Sequence, residues 1–177
     1  GEPGDGPTSA KVQGHQLELQ QNLGGTWALL VGGAYRETQM KGYGQNPELV
    51  ASRQPFFTDG QTLSRQRRYS DYETTDTVAR AEISGSFATG SITNHLLFGA
   101  DYEDFKFDRY QTRFRPPVFT PTSTLTDLNA VNIFDPVYGN LPTPTSFIFN
   151  DTEHQEAYGV YLNDQLVTKR DDLTNDH

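Results

Sequence analysis

The sequence predicts an all-β fold, an antiparallel meander that forms part of a transmembrane β-barrel. Three observations carry that prediction. Runs of alternating apolar and polar residues recur along the chain, and the aromatic residues, 11 Phe, 9 Tyr and 1 Trp, recur within them. The connections between the runs alternate between tight turns and long loops rich in Gly, Pro and Asn. A transmembrane barrel sorts its connections in this way, short on the periplasmic side and long outside, whereas a soluble β-sandwich has no reason to sort them by parity.

The first strand, 12–23, places Leu17, Leu19, Gln21 and Leu23 on one face and Gln16, Glu18, Gln20 and Asn22 on the other. Gly24-Gly25 supplies the positive φ of a tight turn. The return strand, 26–42, carries Trp27, Leu29, Val31, Gly33 and Tyr35 on its more aromatic face, opposite Ala28, Leu30, Gly32, Ala34 and Arg36. A loop over 43–61 leads to the third strand, 63–88, whose end alternates cleanly: Thr75, Thr77, Ala79, Ala81, Ile83 and Phe87 against Thr74, Asp76, Arg80, Glu82, Ser84 and Ser86. A second tight turn, Ala88-Thr89-Gly90-Ser91, opens the fourth strand, 92–114, with Ile92, Leu96, Phe98, Ala100 and Tyr102 against Thr93, His95, Gly99 and Asp101. The Pro-rich connection 115–151 is too long for a compact domain unless it has a function. The fifth strand, 153–168, sets Tyr158, Val160 and Leu162 against Gly159, Tyr161 and Asn163. The division expected is a partial barrel domain over 1–168 and an atypical charged C-terminal tail over 169–177.

Composition narrows the function classes. Apolar residues make up 34% of the 177, which argues against a large conventional core. The longest dense apolar stretch is 27–31, far short of the roughly 18 residues of a membrane-spanning helix. A net charge of -9 and a pI near 4.8 argue against nucleic acid as a partner. With no Cys there is no disulfide framework, no Cys-ligated zinc and no thiol nucleophile. The opening 1–7 has neither a basic n-region nor an apolar h-region, so an export signal is expected upstream or removed.

No catalytic chemistry is expected. The sequence has no Gly-x-Ser-x-Gly elbow, and His15, His95, His154 and His177 show no paired metal spacing. Asp101, Glu103, Asp104 and Asp108 fall on both strand faces and form no calcium loop or glycosidase pair. Arg65, Arg67 and Arg68 are the only dense basic run. They are expected to pair with neighbours such as Asp71 and Glu73, or with lipopolysaccharide phosphates, in preference to an anionic chelate.

A set of ordered motifs carries a family resemblance. Gly1-Glu2-Pro3-Gly4, Gly14-His15-Gln16-Leu17-Glu18-Leu19-Gln20-Gln21-Asn22-Leu23, Leu63-Ser64-Arg65-Gln66-Arg67-Arg68-Tyr69 and His95-Leu96-Leu97-Phe98-Gly99-Ala100-Asp101-Tyr102 open it. Asn132-Ile133-Phe134-Asp135-Pro136-Val137-Tyr138-Gly139 and Tyr158-Gly159-Val160-Tyr161-Leu162-Asn163-Asp164-Gln165-Leu166 complete it. In this order they resemble the barrel of TonB-dependent ferric-siderophore receptors, nearest the hydroxamate (ferrichrome and ferrioxamine) branch.

The resemblance implies about five strands of a roughly 22-stranded barrel in the outer membrane of a Gram-negative bacterium. It further implies binding and import of ferric siderophores, hydroxamates first, with no cofactor and with iron entering only as the metal of the ligand. The partners implied are the ferric siderophore, outer-membrane lipid and lipopolysaccharide. TonB is expected only through a plug and TonB box that this stretch does not contain. By motif position Tyr43, in Lys41-Gly42-Tyr43-Gly44, matches a ligand-contacting tyrosine, and Phe114 matches a contacting phenylalanine. Tyr110 is the neighbouring third candidate, and the bland role for all three is an interfacial or loop-packing aromatic. A secreted or surface β-rich binding module, for example for carbohydrate, is the alternative. The two differ in solvent, since the Trp27, Leu29 and Val31 face needs lipid or detergent in the first and none in the second.

Overall fold

The computed structural model describes residues 2–48, 60–118, 120 and 122–168. After a short 3-10 turn, Pro3–Asp5, come seven strands: β1 Ser9–Gly24, β2 Trp27–Pro47, β3 Thr62–Leu63, β4 Arg65–Thr89, β5 Ile92–Phe114, β6 Val131–Asn132 and β7 Ser146–Thr168. The five long strands form one sheet in the order β1-β2-β4-β5-β7, so each lies beside its neighbour in sequence, as a meander requires. The two-residue β3 and β6 pair antiparallel with each other, Thr62 with Asn132 and Leu63 with Val131.

Side-chain partners give the register between β2 and β4. Trp27 meets Gly85, Gln39 donates to Glu73, Lys41 pairs with Asp71 and Tyr43 packs on Tyr69. As numbers rise on one strand they fall by the same step on the other, the mark of an antiparallel pair without a net slip. Both tight turns stand on glycine with positive φ, 108° and 60° at Gly24 and Gly25 and 65° at Gly90. An L side chain is strained there and glycine is not.

The structure moves several boundaries. β7 begins at Ser146 and not at 153. The last proline is Pro144, so nothing beyond it removes a ladder donor, and Phe147, Ile148 and Phe149 favour the strand. β2 runs on to Pro47, past Gly44, which reads as loop. Gly42, the last residue of the expected strand, lets Thr8 approach so closely that a Cβ would lie 2.8 Å from its hydroxyl. β1 starts three residues early, at Ser9, and the β3–β6 pair has no sequence signal because two residues show no period. The expected tail 169–177 and the middle of the loop 43–61 lie outside the described residues.

Among the described residues Leu128 is the one fully buried hydrophobe, while Leu17, Leu19, Val31, Phe98, Val160 and Leu162 are all exposed. The sheet therefore displays its apolar positions instead of folding them into a core, which is how a barrel wall is built. By contact the chain forms two compact units. The loop-end unit takes in Gly1–Val12, Glu37–Thr74 and Phe107–Glu153, and the turn-end unit takes in Gln13–Arg36, Thr75–Lys106 and the chain from His154.

In the turn-end unit large rings lie over glycines, Trp27 over Gly85 and Tyr161 over Gly99, where any Cβ would overlap the ring. The Tyr161 hydroxyl also donates to Glu82. Gly85→Ala should therefore displace the indole and cost about 1–3 kcal/mol through overpacking. The chain has a single Trp, so the emission of Trp27 in detergent micelles reports the displacement directly. Gly44→Ala, where a Cβ meets nothing within 4 Å, should leave that emission unchanged.

Candidate functional site

The loop-end unit is organised by arginines. Residues 65 and 67 alternate onto one face of β4, and a guanidinium withdrawn from water must meet carboxylates and carbonyls. The Arg65 side chain, 6% exposed, lies 3.2 Å from Glu2, 1% exposed. Its Nε donates to the Asn129 carbonyl at 3.0 Å, and the other Glu2 oxygen accepts the Gly139 N–H at 2.8 Å. Arg67 donates to Asp5 at 2.8 Å and to the Pro142 carbonyl at 3.2 Å. Asn129 holds a positive φ of 47° and donates to Gln45 at 2.7 Å. Beside them Arg115 grips Glu48 with two bonds of 3.1 Å, and Gln66 donates to the same carboxylate at 2.9 Å. That hydrogen bond to Glu48 holds the Arg115 guanidinium above its ordinary pKa, against the smaller opposing effect of burial.

This corrects the pairing expected from sequence. Arg65 takes Glu2, Arg67 takes Asp5 and Arg68 donates to Gln66, while Asp71 takes Lys41 at 2.9 Å and Glu73 accepts from Gln39 at 3.3 Å. Asp71 follows Arg67 on the same strand, about 13 Å along it, whereas Asp5 is brought alongside by the fold.

Across four neighbouring strands the unit carries a row of rings. Tyr43 of β2 packs on Tyr69 of β4 with centroids 4.9 Å apart, Tyr69 on Tyr110 of β5 at 6.1 Å, and Tyr110 on Phe147 of β7 at 5.7 Å. The Arg67 guanidinium lies 4.1 Å from the Tyr43 centroid and so joins the row to the arginine network. Tyr43, Tyr110 and Phe147 keep 39%, 40% and 60% of their surface, enough to offer ring area to a ligand. The structure thus brings Tyr43 and Tyr110 together through Tyr69, while Phe114 closes β5 half-buried, next to Arg115. Tyr69 and Phe147 escaped the sequence reading. Tyr69 lies in a quoted motif without its distant partners, and Phe147 lies in what reads as loop.

Beside Tyr110 opens a cleft of about 270 Å³ lined by Asp71, Glu73, Asp108, Arg109, Asn150 and Asp151. Arg109 crosses it with a bidentate pair to Asp151, at 2.9 and 2.7 Å, and reaches Glu153 at 2.7 Å. The turn-end unit holds a wider cleft of about 500 Å³, floored by Gly32, Gly33 and Ala34 and edged by Glu18, Arg80 and Asp101. There too His154 Nε2 meets Asp104 at 3.1 Å with Glu156 beside them.

No family model matches the chain. Over 163 residues, 92% of the chain, it is 31% identical to the metal-pseudopaline receptor CntO of one Pseudomonas aeruginosa strain and 30% identical to that of another. The match takes in 21% of those proteins, so the chain spans about a fifth of the length of the curated relatives it matches. These relatives are named as receptors. Among solved structures it is similar to BauA, the ferric preacinetobactin receptor from Acinetobacter baumannii, with a TM-score of 0.56 and 20% identity over 92% of this chain and 22% of that one. It is similar also to the ferric-catecholate import receptor Fiu from E. coli, with a TM-score of 0.59 and 17% identity over 93% of this chain and 22% of that one. At those identities the likeness is one of fold. It matches the five-stranded antiparallel sheet to barrel segments of such receptors.

Arg65→Met should leave Glu2 as a buried charge without its counter-charge, at a cost of about 3–5 kcal/mol. Limited proteolysis should then cut within 115–145 faster than in the parent chain. Adding Glu2→Gln should restore part of the protection, since it removes the stranded charge.

Proposed function

We propose that the chain is a stretch of the barrel of an outer-membrane TonB-dependent receptor that binds ferric siderophores, hydroxamates among them, and takes part in their import. The observation that carries this reading is the 31% identity to a metal-pseudopaline receptor over 92% of the chain. The exposed apolar positions support it, because lipid is the solvent that suits them. On this reading the partners are outer-membrane lipid, lipopolysaccharide and the chelate, and TonB acts through parts of the receptor outside this stretch. Iron belongs to the cargo. The relatives and neighbours are named for pseudopaline, preacinetobactin and catecholate ligands, so a metal chelate is the shared class. Hydroxamate is the narrower choice, resting on the sequence resemblance.

The chemistry asked of the chain is recognition without reaction. Tyr43 and Tyr110 offer ring faces and hydroxyls to a compact chelate, and Phe114 a ring at the passage from β5 into the long connection. Arg67 over Tyr43 fixes one ring. The buried arginine network keeps these groups in place before ligand arrives, so less ordering is needed on binding. A carbohydrate-binding module in water would leave Leu17 and Tyr158, 78% and 75% exposed, in contact with solvent, and the receptor reading is favoured for that reason.

In a receptor carrying this stretch, Tyr43→Ala with Phe114→Ala should weaken ferric-hydroxamate binding by about one to two orders of magnitude, at about 1–2 kcal/mol for each lost ring. The amount of receptor in the outer membrane should not change. Trp27→Ala should do the reverse, lowering assembly and sparing affinity. Binding of radiolabelled ferric chelate at matched receptor amounts decides it, and a ferric catecholate run beside the hydroxamate separates the ligand classes.

A further inference from the structure

We propose that Asp104, His154 and Glu156 form a binding site for a divalent cation of the first transition row, independent of any chelate the receptor carries. β5 and β7 are neighbours in the sheet, and 154 and 156, two apart on β7, share the face that meets Asp104. One ligand atom from each of the three side chains lies within 4.8 Å of the others, and His154 Nε2 is 3.1 Å from Asp104 Oδ1. Around one ion at about 2.1 Å, neighbouring ligand atoms stand roughly 3–3.5 Å apart, so small side-chain rotations close the set. All three groups sit on strands paired along their length, not on a loop.

Charge supplies a separate argument. The acids Asp71, Glu48, Asp151 and Glu153 each meet a Lys or Arg. Among the described residues Asp104 and Glu156 meet none within 4.0 Å, and their one basic neighbour is the imidazole. Two carboxylates side by side, with no Lys or Arg against them, concentrate negative charge that a divalent cation neutralises, and the imidazole adds a nitrogen donor. The Tyr102 hydroxyl reaches both acids, at 3.3 Å to Asp104 Oδ2 and 3.4 Å to Glu156 Oε1, which steers Asp104 Oδ1 toward His154. Tyr158 packs on Tyr102 at 5.0 Å and fixes that ring. An outer group that orients the acids in this way is a usual companion of a metal site. One nitrogen and two oxygen donors suit zinc, nickel or cobalt better than magnesium or calcium, which prefer all-oxygen sets. His154 is about half exposed, with 53% of its side chain open, so the remaining coordination positions face water or an oxygen donor of another molecule.

Calorimetry with zinc chloride on the full chain in detergent micelles tests this, with cobalt absorption in the visible as a second readout. One zinc per chain is expected. His154→Ala and Asp104→Asn should each weaken it on the order of tenfold or more and abolish the cobalt band. His95→Ala should change neither, and millimolar magnesium should not displace the zinc. Glu156→Gln and His154→Gln, nearly isosteric, decide the matter should either first variant lose its strand content by circular dichroism. Absence of saturable zinc binding, unchanged affinity in the His154 variants, or displacement by magnesium would overturn the site.

Discussion

Backbone pairing between strands of 16 to 25 residues holds this chain together, because among the described residues almost no apolar side chain is buried to do so. A ladder of that length satisfies its own N–H and C=O groups without help from a core, which is the condition for crossing a bilayer with strands. It also explains the composition. When the apolar positions need only cover one face, an apolar share of 34% suffices, and the polar alternates remain free to carry charge. The cost of this architecture is that register must be right from end to end, since a slip by one residue turns every apolar side chain to the opposite face.

Where the ladder ends, a different interaction takes over. Among its described residues the loop-end unit has one buried leucine and a set of buried guanidiniums, so the long connection is held by charge and carbonyls instead of by apolar packing. Ion pairs out of water bring a desolvation penalty that mutual attraction alone seldom offsets. Here the remaining valences are filled as well: Glu2 accepts from Arg65 and Gly139, Glu48 from Arg115 and Gln66, and Arg65 donates to both oxygens of Asn129. A network filled to that extent specifies one arrangement of segments that are far apart in sequence. The β3–β6 pair is a second, smaller tie of the same connection.

The long strands and both tight turns were legible because a period of two and a glycine at positive φ are local signals. The start of β7 was not, since Pro142 and Pro144 stand immediately before it and their loop character masked the three apolar residues that follow. Nor were the partners of the arginines, because 62 and 63 residues separate Arg67 from Asp5 and Arg65 from Glu2. The histidine spacing gave no metal signal for the same reason. His154 and Asp104 are 50 residues apart and meet only because β5 and β7 are adjacent. Tyr43 and Tyr110 could be picked out one at a time from a motif, but the row they belong to needs Tyr69 and Phe147, which only strand order supplies.

On the proposed function, that row ties recognition to the ladder. Each of four strands contributes one ring, and each ring packs on the next, so the surface exists only when three strand pairings are in register together. Shifting one strand by a residue would remove a ring from the middle of the row and leave its neighbours apart, whereas in a loop-built site the same ring could be replaced by local rearrangement. The placement of Arg67 extends this dependence, because the guanidinium that lies over Tyr43 is also bound to Asp5 and Pro142. A ligand that settles on Tyr43 therefore meets a group fixed from three directions. On the proposed reading, preorganisation of this kind comes from the backbone pairing itself and not from a packed core, so that a chain with little buried apolar surface among its described residues would still present a defined face to a ligand.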